Sequence, residues 1–123
     1  MKTSSKKGKG RRLQNYVVEK LLFLFSFLED DDIKSAIMGE SGEDIKLSPA
    51  ARKAIPYSFE CKNQERLSIW SSLQQAEDNC KGFDPILVFK RNRTKTYACM
   101  EFDLFLKLIG DNDGTRRNKK IEG

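Results

Sequence analysis

Gly39-Glu40-Ser41-Gly42-Glu43-Asp44-Ile45-Lys46-Leu47 and, after a short connection, Tyr57-Ser58-Phe59-Glu60-Cys61-Lys62-Asn63 are the stretch around which the rest of this sequence is arranged. Both segments alternate apolar and polar residues with a period of two, the signature of extended chain. In the second, Tyr57, Phe59 and Cys61 share one face and Ser58, Glu60 and Lys62 the other. In the first, Ile45 and Leu47 oppose Asp44 and Lys46. If the two strands pair, Asp44 and Glu60 converge on one point, with Lys62 beside them.

Two converging carboxylates make a hard oxygen site of the kind Mg²⁺ prefers, with positions left open for water and phosphate. A lysine next to such an ion can orient or deprotonate a water, or neutralise charge on a phosphorane-like transition state. The residues therefore point to metal-assisted phosphodiester hydrolysis. The competing account is a surface strand with an ordinary Glu–Lys pair. Against it stand the apolar reverse face of the strand and the glycine-rich lead-in to Asp44.

Asp44 followed by Glu60-Cys61-Lys62 resembles the (P)D…(D/E)xK signature of the PD-(D/E)XK nuclease superfamily. With the Ser41-Gly42 turn it is most similar to archaeal-type Holliday junction resolvases and related phage endonucleases. The resemblance runs from Lys9 to Ile109 in element order, and its specific part is the central motif. Glu43 stands where the family usually has Pro, which raises the question of whether Glu43 or Glu40 joins in metal binding. The resemblance implies an α/β fold with a small central mixed sheet flanked by helices, a restriction-endonuclease-like core. It implies a Mg²⁺-dependent endonuclease, with Mn²⁺ substituting, that cuts branched DNA. Asp44, Glu60 and the backbone carbonyl of Cys61 would hold the metal, and Lys62 would position the attacking water. The family's acid on the first helix and glutamine on the helix after the E-x-K strand would correspond to Glu19 and Gln75. Ser41 would touch the scissile phosphate, or simply form the turn. A near-twofold junction with two strands to cut implies a homodimer. A phage or small-replicon origin and a cytoplasmic location, that of the host for a phage protein, go with the likeness.

With 123 residues, 38% apolar and 33% charged, the chain suits one domain with one modest core. No apolar run approaches a membrane span, and no cleavage-site pattern follows the apolar segment Leu21 to Leu28, so neither an anchor nor a signal peptide is expected. A net charge of +5 favours a polyanionic partner. Three cysteines without paired spacing argue for a reducing compartment, with Cys61 a small core residue. The absence of histidine excludes Ser-His-Asp triads and His-metal nucleases, leaving carboxylates and lysines to carry chemistry.

Residues 1 to 12, with Lys2, Lys6, Lys7, Lys9, Arg11 and Arg12, read as a flexible basic tail able to lie along a phosphate backbone. Residues 13 to 109 form the folded domain, and 110 to 123 a second basic tail. Leu13 to Leu28 reads as a helix, with Leu13, Val17, Leu21, Leu24 and Leu28 on one face. Glu29 to Asp32 is a loop or cap rather than a metal cluster. Ile33 to Met38 is one helical turn or a short first strand, and the resemblance implies a strand by its end. Ser48 and Pro49 cap a single helical turn that carries Arg52 and Lys53 near the site. Leu67 to Lys81 is a helix with Trp70 beside its apolar face, a core or interface residue rather than a base-stacking platform. Pro85 to Lys90 and Thr96 to Glu101 form a hairpin whose loop gathers Lys90, Arg91, Arg93 and Lys95, a solvated turn or a phosphate clamp. Phe102 to Ile109 is a last helix. Two other functions fit the same residues: a nicking, flap or repair nuclease of that superfamily, and a DNA-binding module without catalysis.

Overall fold

The computed structural model describes residues 2–37 and 39–111, and the side chains from Lys6 onward. The order is helix α1 (Lys2–Leu24), a 3-10 turn (Asp30–Asp32), strands β1 (Ile33–Ser35) and β2 (Ile45–Leu47), helix α2 (Pro49–Ala54) and strand β3 (Tyr57–Asn63). Helix α3 (Ile69–Asp78), strands β4 (Asp84–Lys90) and β5 (Tyr97–Cys99), and helix α4 (Phe102–Asp111) follow. The class is α/β. The sheet, expected as one, is two: β1 pairs with β2 antiparallel, and β3, β4 and β5 form a mixed sheet in that order. The α3 crossover allows β3 and β4 to run parallel, whereas the short Arg91-to-Thr96 turn forces β5 antiparallel.

Helices cover both faces of the three-stranded sheet. Phe59, Cys61, Ile86 and Val88 pack with Leu13 and Val17 of α1 and Leu104 of α4. Ser58, Glu60 and Leu87 point the other way, towards the face covered by α3, where Ser72 and Ala76 are buried. The polar side of β3 is therefore as enclosed as its apolar side: Ser58 and Glu60 each keep only 3% of their surface. Ile33, Ile45 and Ile55 close a core between the two sheets. Each such aliphatic side chain contributes about 1.5–3 kcal/mol by burial.

Four sequence expectations are corrected. The basic segment from Lys2 to Arg12 is the first half of α1 rather than a tail. Lysine and arginine are good helix formers, and turns propagate cheaply from the apolar half. The segment is also tied down: the carbonyl of Lys9 accepts from Asn63 Nδ2 at 3.0 Å, and Lys9 Nζ lies 3.4 Å from Glu65. At its other end α1 stops at Leu24, short of Leu28. Phe25 to Leu28 turn instead, leaving Leu24 71% exposed while Leu28 is buried. The strand expected near Met38 lies earlier, at Ile33–Ser35. The glycines at 39 and 42 then take positive φ of 89° and 97° to reverse the chain. Gly110 and Asp111 belong to α4, and the rest of the expected C-terminal tail lies outside the described residues.

The Ser48 cap with Pro49 following it is present, Ser48 Oγ accepting from Ala51 N at 3.1 Å. The acidic run is structural: Asp32 accepts from Ser48 Oγ at 2.6 Å and from Glu29 N at 2.8 Å. Among the described residues no helix is long and apolar enough to cross a membrane.

Candidate active site

Asp44 joins the two sheets with every polar group it has except one carboxylate oxygen. Its backbone N–H donates to the carbonyl of Phe59 at 3.1 Å, and its own carbonyl accepts from Ala36 N at 2.8 Å. A neighbouring strand in that position would offer its carbonyl to Cys61. Asp44 has spent its carbonyl on Ala36, so its side chain substitutes: Cys61 N donates to Asp44 Oδ2 at 2.7 Å. This locks the carboxylate against the free edge of β3. Here β2 and β3 are linked without forming a ladder, which is why convergence holds although the predicted pairing does not.

Glu60 meets Asp44 there, close enough that each carboxyl acts on the other's ionisation. Asn79, just past α3, donates to Glu60 Oε1 at 3.3 Å, and Lys62 Nζ lies 3.9 Å from Oε2. Burial raises the Glu60 carboxyl to about 7, and the adjacent Asp44 charge adds to the effect. Burial also raises Asp44, against the opposing pull of the Cys61 N–H and Lys62. Two carboxylates this close cannot both ionise cheaply without a cation between them. Both shifts run in that direction, the carboxyls being raised above their ordinary range.

These groups open into a cavity of about 700 Å³. Asp44, Glu60, Cys61 and Lys62 form one wall, Gln14 of α1 and Gln75 of α3 approach from either side, and Lys6, Lys9 and Arg66 stand at the rim. Among the described residues no group of three or more His, Cys, Asp or Glu side chains is placed to hold a metal. A divalent ion held at this cavity would rest on the Asp44–Glu60 pair, backbone carbonyl and water. The donor set suits that: two hard oxygens, a proton to be displaced, and room for water. Gln14 adds to it, being 6% exposed, with Oε1 buried and without a hydrogen-bond partner. A hydrated cation at the carboxylate pair would supply the missing partner.

Of the residues expected here, Asp44, Glu60, Cys61, Lys62 and Gln75 come together. Glu19 does not: it is exposed on α1, and the residue of that helix facing the cavity is Gln14. At ~100° per residue the two lie about 140° apart around the helix. Ser41 is exposed in the turn and lines no part of the cavity. Glu40 is held by Lys46 at 3.0 Å and accepts from Ile37 N, also at 3.0 Å. Glu43 is buried against Arg52, whose Nη1 also donates to the Tyr57 carbonyl at 2.8 Å and whose guanidinium stacks on Phe83. Neither Glu40 nor Glu43 reaches the carboxylate pair, and Arg52 is a structural clamp rather than a cation of the site.

The basic residues divide by helical and strand geometry. Lys6 and Lys9 share the cavity face of α1 with Gln14, while Lys7 and Arg11 are exposed and line neither this cavity nor the adjoining groove. Arg12, Lys90 and Lys95 line that groove, which meets the cavity at Asn63. Arg91 borders a separate pocket. Arg93, at the turn tip with φ 65°, is exposed and lines none of these. Gln14 and Asn79 were missed by sequence reasoning. The i, i+4 row Lys6-Gly10-Gln14 continuing into the buried Leu13–Val17 face was the available signal for Gln14. Nothing local marks Asn79, which reaches Glu60 only because α3 ends above β3.

Comparisons with protein-family models, curated proteins and solved structures find no match to this chain.

Proposed function

We propose that this protein is a metal-dependent endodeoxyribonuclease acting on branched DNA, as its resemblance to Holliday junction resolvases implies. The observation carrying the reading is the meeting of the Asp44 and Glu60 carboxylates at the free edge of β3, with Lys62 Nζ 3.9 Å from Glu60 in a cation-rimmed cavity. Asp44, Glu60 and the Cys61 carbonyl would hold Mg²⁺ or Mn²⁺. When bound, such an ion polarises a phosphoryl oxygen and lowers the pKa of water.

The chain's own groups do the rest. The Cys61 N–H fixes the Asp44 carboxylate so that binding needs no rearrangement of that side chain. Asn79 holds Glu60 Oε1, which aims Oε2 towards Lys62. The Lys62 ammonium donates hydrogen bonds to a water or to a non-bridging phosphate oxygen, fixing the line of attack. One P–O bond forms to the water oxygen and one breaks, leaving a phosphomonoester and a hydroxyl. Lys6, Lys9, Arg12, Lys90 and Lys95 track the phosphates on either side by charge, without reading bases. Two cuts in a near-twofold junction call for two copies of the chain. Phe23 at the end of α1, 86% exposed, Phe27 in the turn that follows it, 71% exposed, and Trp70 at 82% are the surfaces for that contact.

The test uses purified protein with Mg²⁺ on a panel of junction, flap, nicked and linear DNA. Cleavage of branched substrates is expected, with Glu60→Ala and Lys62→Ala binding but not cutting. Equal cutting by wild type and Glu60→Ala removes the proposal, and preference for flap or nicked DNA reassigns the substrate within it.

A further inference from the structure

Beside the carboxylate cavity, and sharing Gln64 and Glu65 with it, lies a second pocket of about 420 Å³. That volume is within the ~300–1,000 Å³ range of small-molecule sites. Its floor is apolar: Leu67, Ile69, Phe89 and Tyr97. Phe89 and Tyr97 are partners across the β4–β5 ladder, their ring centroids 6.0 Å apart and tilted by 32°. Tyr97 is 53% exposed, so an aromatic face remains uncovered.

The sheet register decides what this pocket is for. Lys62 pairs with Phe89 across the parallel β3–β4 ladder, and Phe89 with Tyr97 across β4–β5. The three side chains therefore form one row on one face, with neighbouring strands ~4.8 Å apart. The aromatic pair begins one strand away from the lysine of the carboxylate site. Lys90 and Arg91 stand at the pocket's edge, and neither is in a salt bridge among the described residues. The one acid there, Glu65, is already engaged by the Asn92 N–H at 2.7 Å and by Lys9 at 3.4 Å. An apolar slot with a free aromatic face, cations at its mouth and direct continuity with a phosphate site matches one ligand class: a nucleobase with its backbone attached.

Resting on the nuclease reading above, we propose that this pocket takes an unpaired base from the strand whose phosphate lies at Asp44 and Glu60, stacked on Tyr97 and Phe89. A base inside a duplex cannot enter it, so the pocket selects DNA with an unpaired nucleotide beside the phosphate to be cut. Branch points and flaps supply such a base at little cost, whereas a continuous duplex must first unstack one.

The experiment places a fluorescent purine analogue, whose emission falls on stacking, at the unpaired position of a branched DNA. It is titrated with the full chain in Ca²⁺. Wild type and Tyr97→Phe are expected to quench the analogue. Tyr97→Ala is expected to abolish the quench and to weaken binding of this DNA about tenfold relative to a fully paired duplex. The same ratio of affinities for Tyr97→Ala and wild type, or an unchanged quench, overturns the proposal. The two readings fail separately. Cleavage without quenching removes the base pocket alone, whereas quenching without cleavage, with Glu60→Ala still quenching, removes the nuclease reading and leaves a base-binding site.

Discussion

The Cys61 N–H is bound at 2.7 Å by the side chain of Asp44, where a neighbouring strand would place a carbonyl. One residue thus performs a backbone's task with a carboxylate. Asp44→Ala leaves the Cys61 N–H without an acceptor at a partly buried edge and is expected to cost about 1–3 kcal/mol. Asp44→Asn retains an acceptor and should stay within about 1 kcal/mol of wild type. Denaturant unfolding measures both, and calorimetry with Mn²⁺ should show that neither variant binds the ion.

Glu60 gives stability an unusual pH dependence. Its folded-state carboxyl sits at about 7 against 4.5 unperturbed, with burial the main cause. Between those values the native state holds a proton that the unfolded chain has released. The contribution is therefore fully present below about pH 4.5 and lost as pH rises through 7. The span corresponds to roughly 3 kcal/mol. Glu60→Gln, which never ionises, should accordingly be more stable than wild type at pH 8 in EDTA and close to it at pH 4.5, while losing cleavage. Thermal unfolding at the two pH values is the measurement.

The same proton competes with a cation. Divalent-ion affinity should rise with pH up to about 7 and level off above it, where Glu60 no longer carries the proton. Calorimetry in two buffers of different ionisation heat should record proton release on binding at pH 6 and little at pH 8. A pH-independent affinity would place the ion elsewhere.

Arg52 holds the buried Glu43 and stacks on Phe83 at 4.1 Å. Arg52→Ala strands that carboxylate and is expected to destabilise by about 3–5 kcal/mol. Mn²⁺ affinity measured at low temperature, where the fold survives, should be unchanged. Loss of metal binding by folded Arg52→Ala would show that Glu43 belongs to the site after all.

Lys9 and Lys90 border the carboxylate cavity and its adjoining groove, whereas Lys7 lines neither. Replacing Lys9 or Lys90 by Ala should each reduce the slope of log affinity against log salt for DNA by about 1, with Lys7→Ala nearly silent. Anisotropy titrations at several salt concentrations read this out directly.

Alternation alone made β3 readable, and with it the placing of Glu60 and Lys62 side by side. A single Ser-Pro pair announced the start of α2, and the glycines at 39 and 42 the reversal before Asp44. Helix ends were less legible. The stop at Leu24 has no proline or glycine to mark it, and the contacts of Lys9 with Asn63 and Glu65, which tie down the first half of α1, lie far away in the sequence.

By itself, the order of residues determined which chemical groups the protein has to work with and on which side of an extended segment each stands, because period-two geometry is local. Folding decided what those groups face. Gln14 instead of Glu19 looks into the cavity, Asn79 instead of Ser41 touches the site, and Glu43 is turned away by Arg52. Each outcome depends on where one element ends relative to another, which packing settles and no short-range pattern encodes.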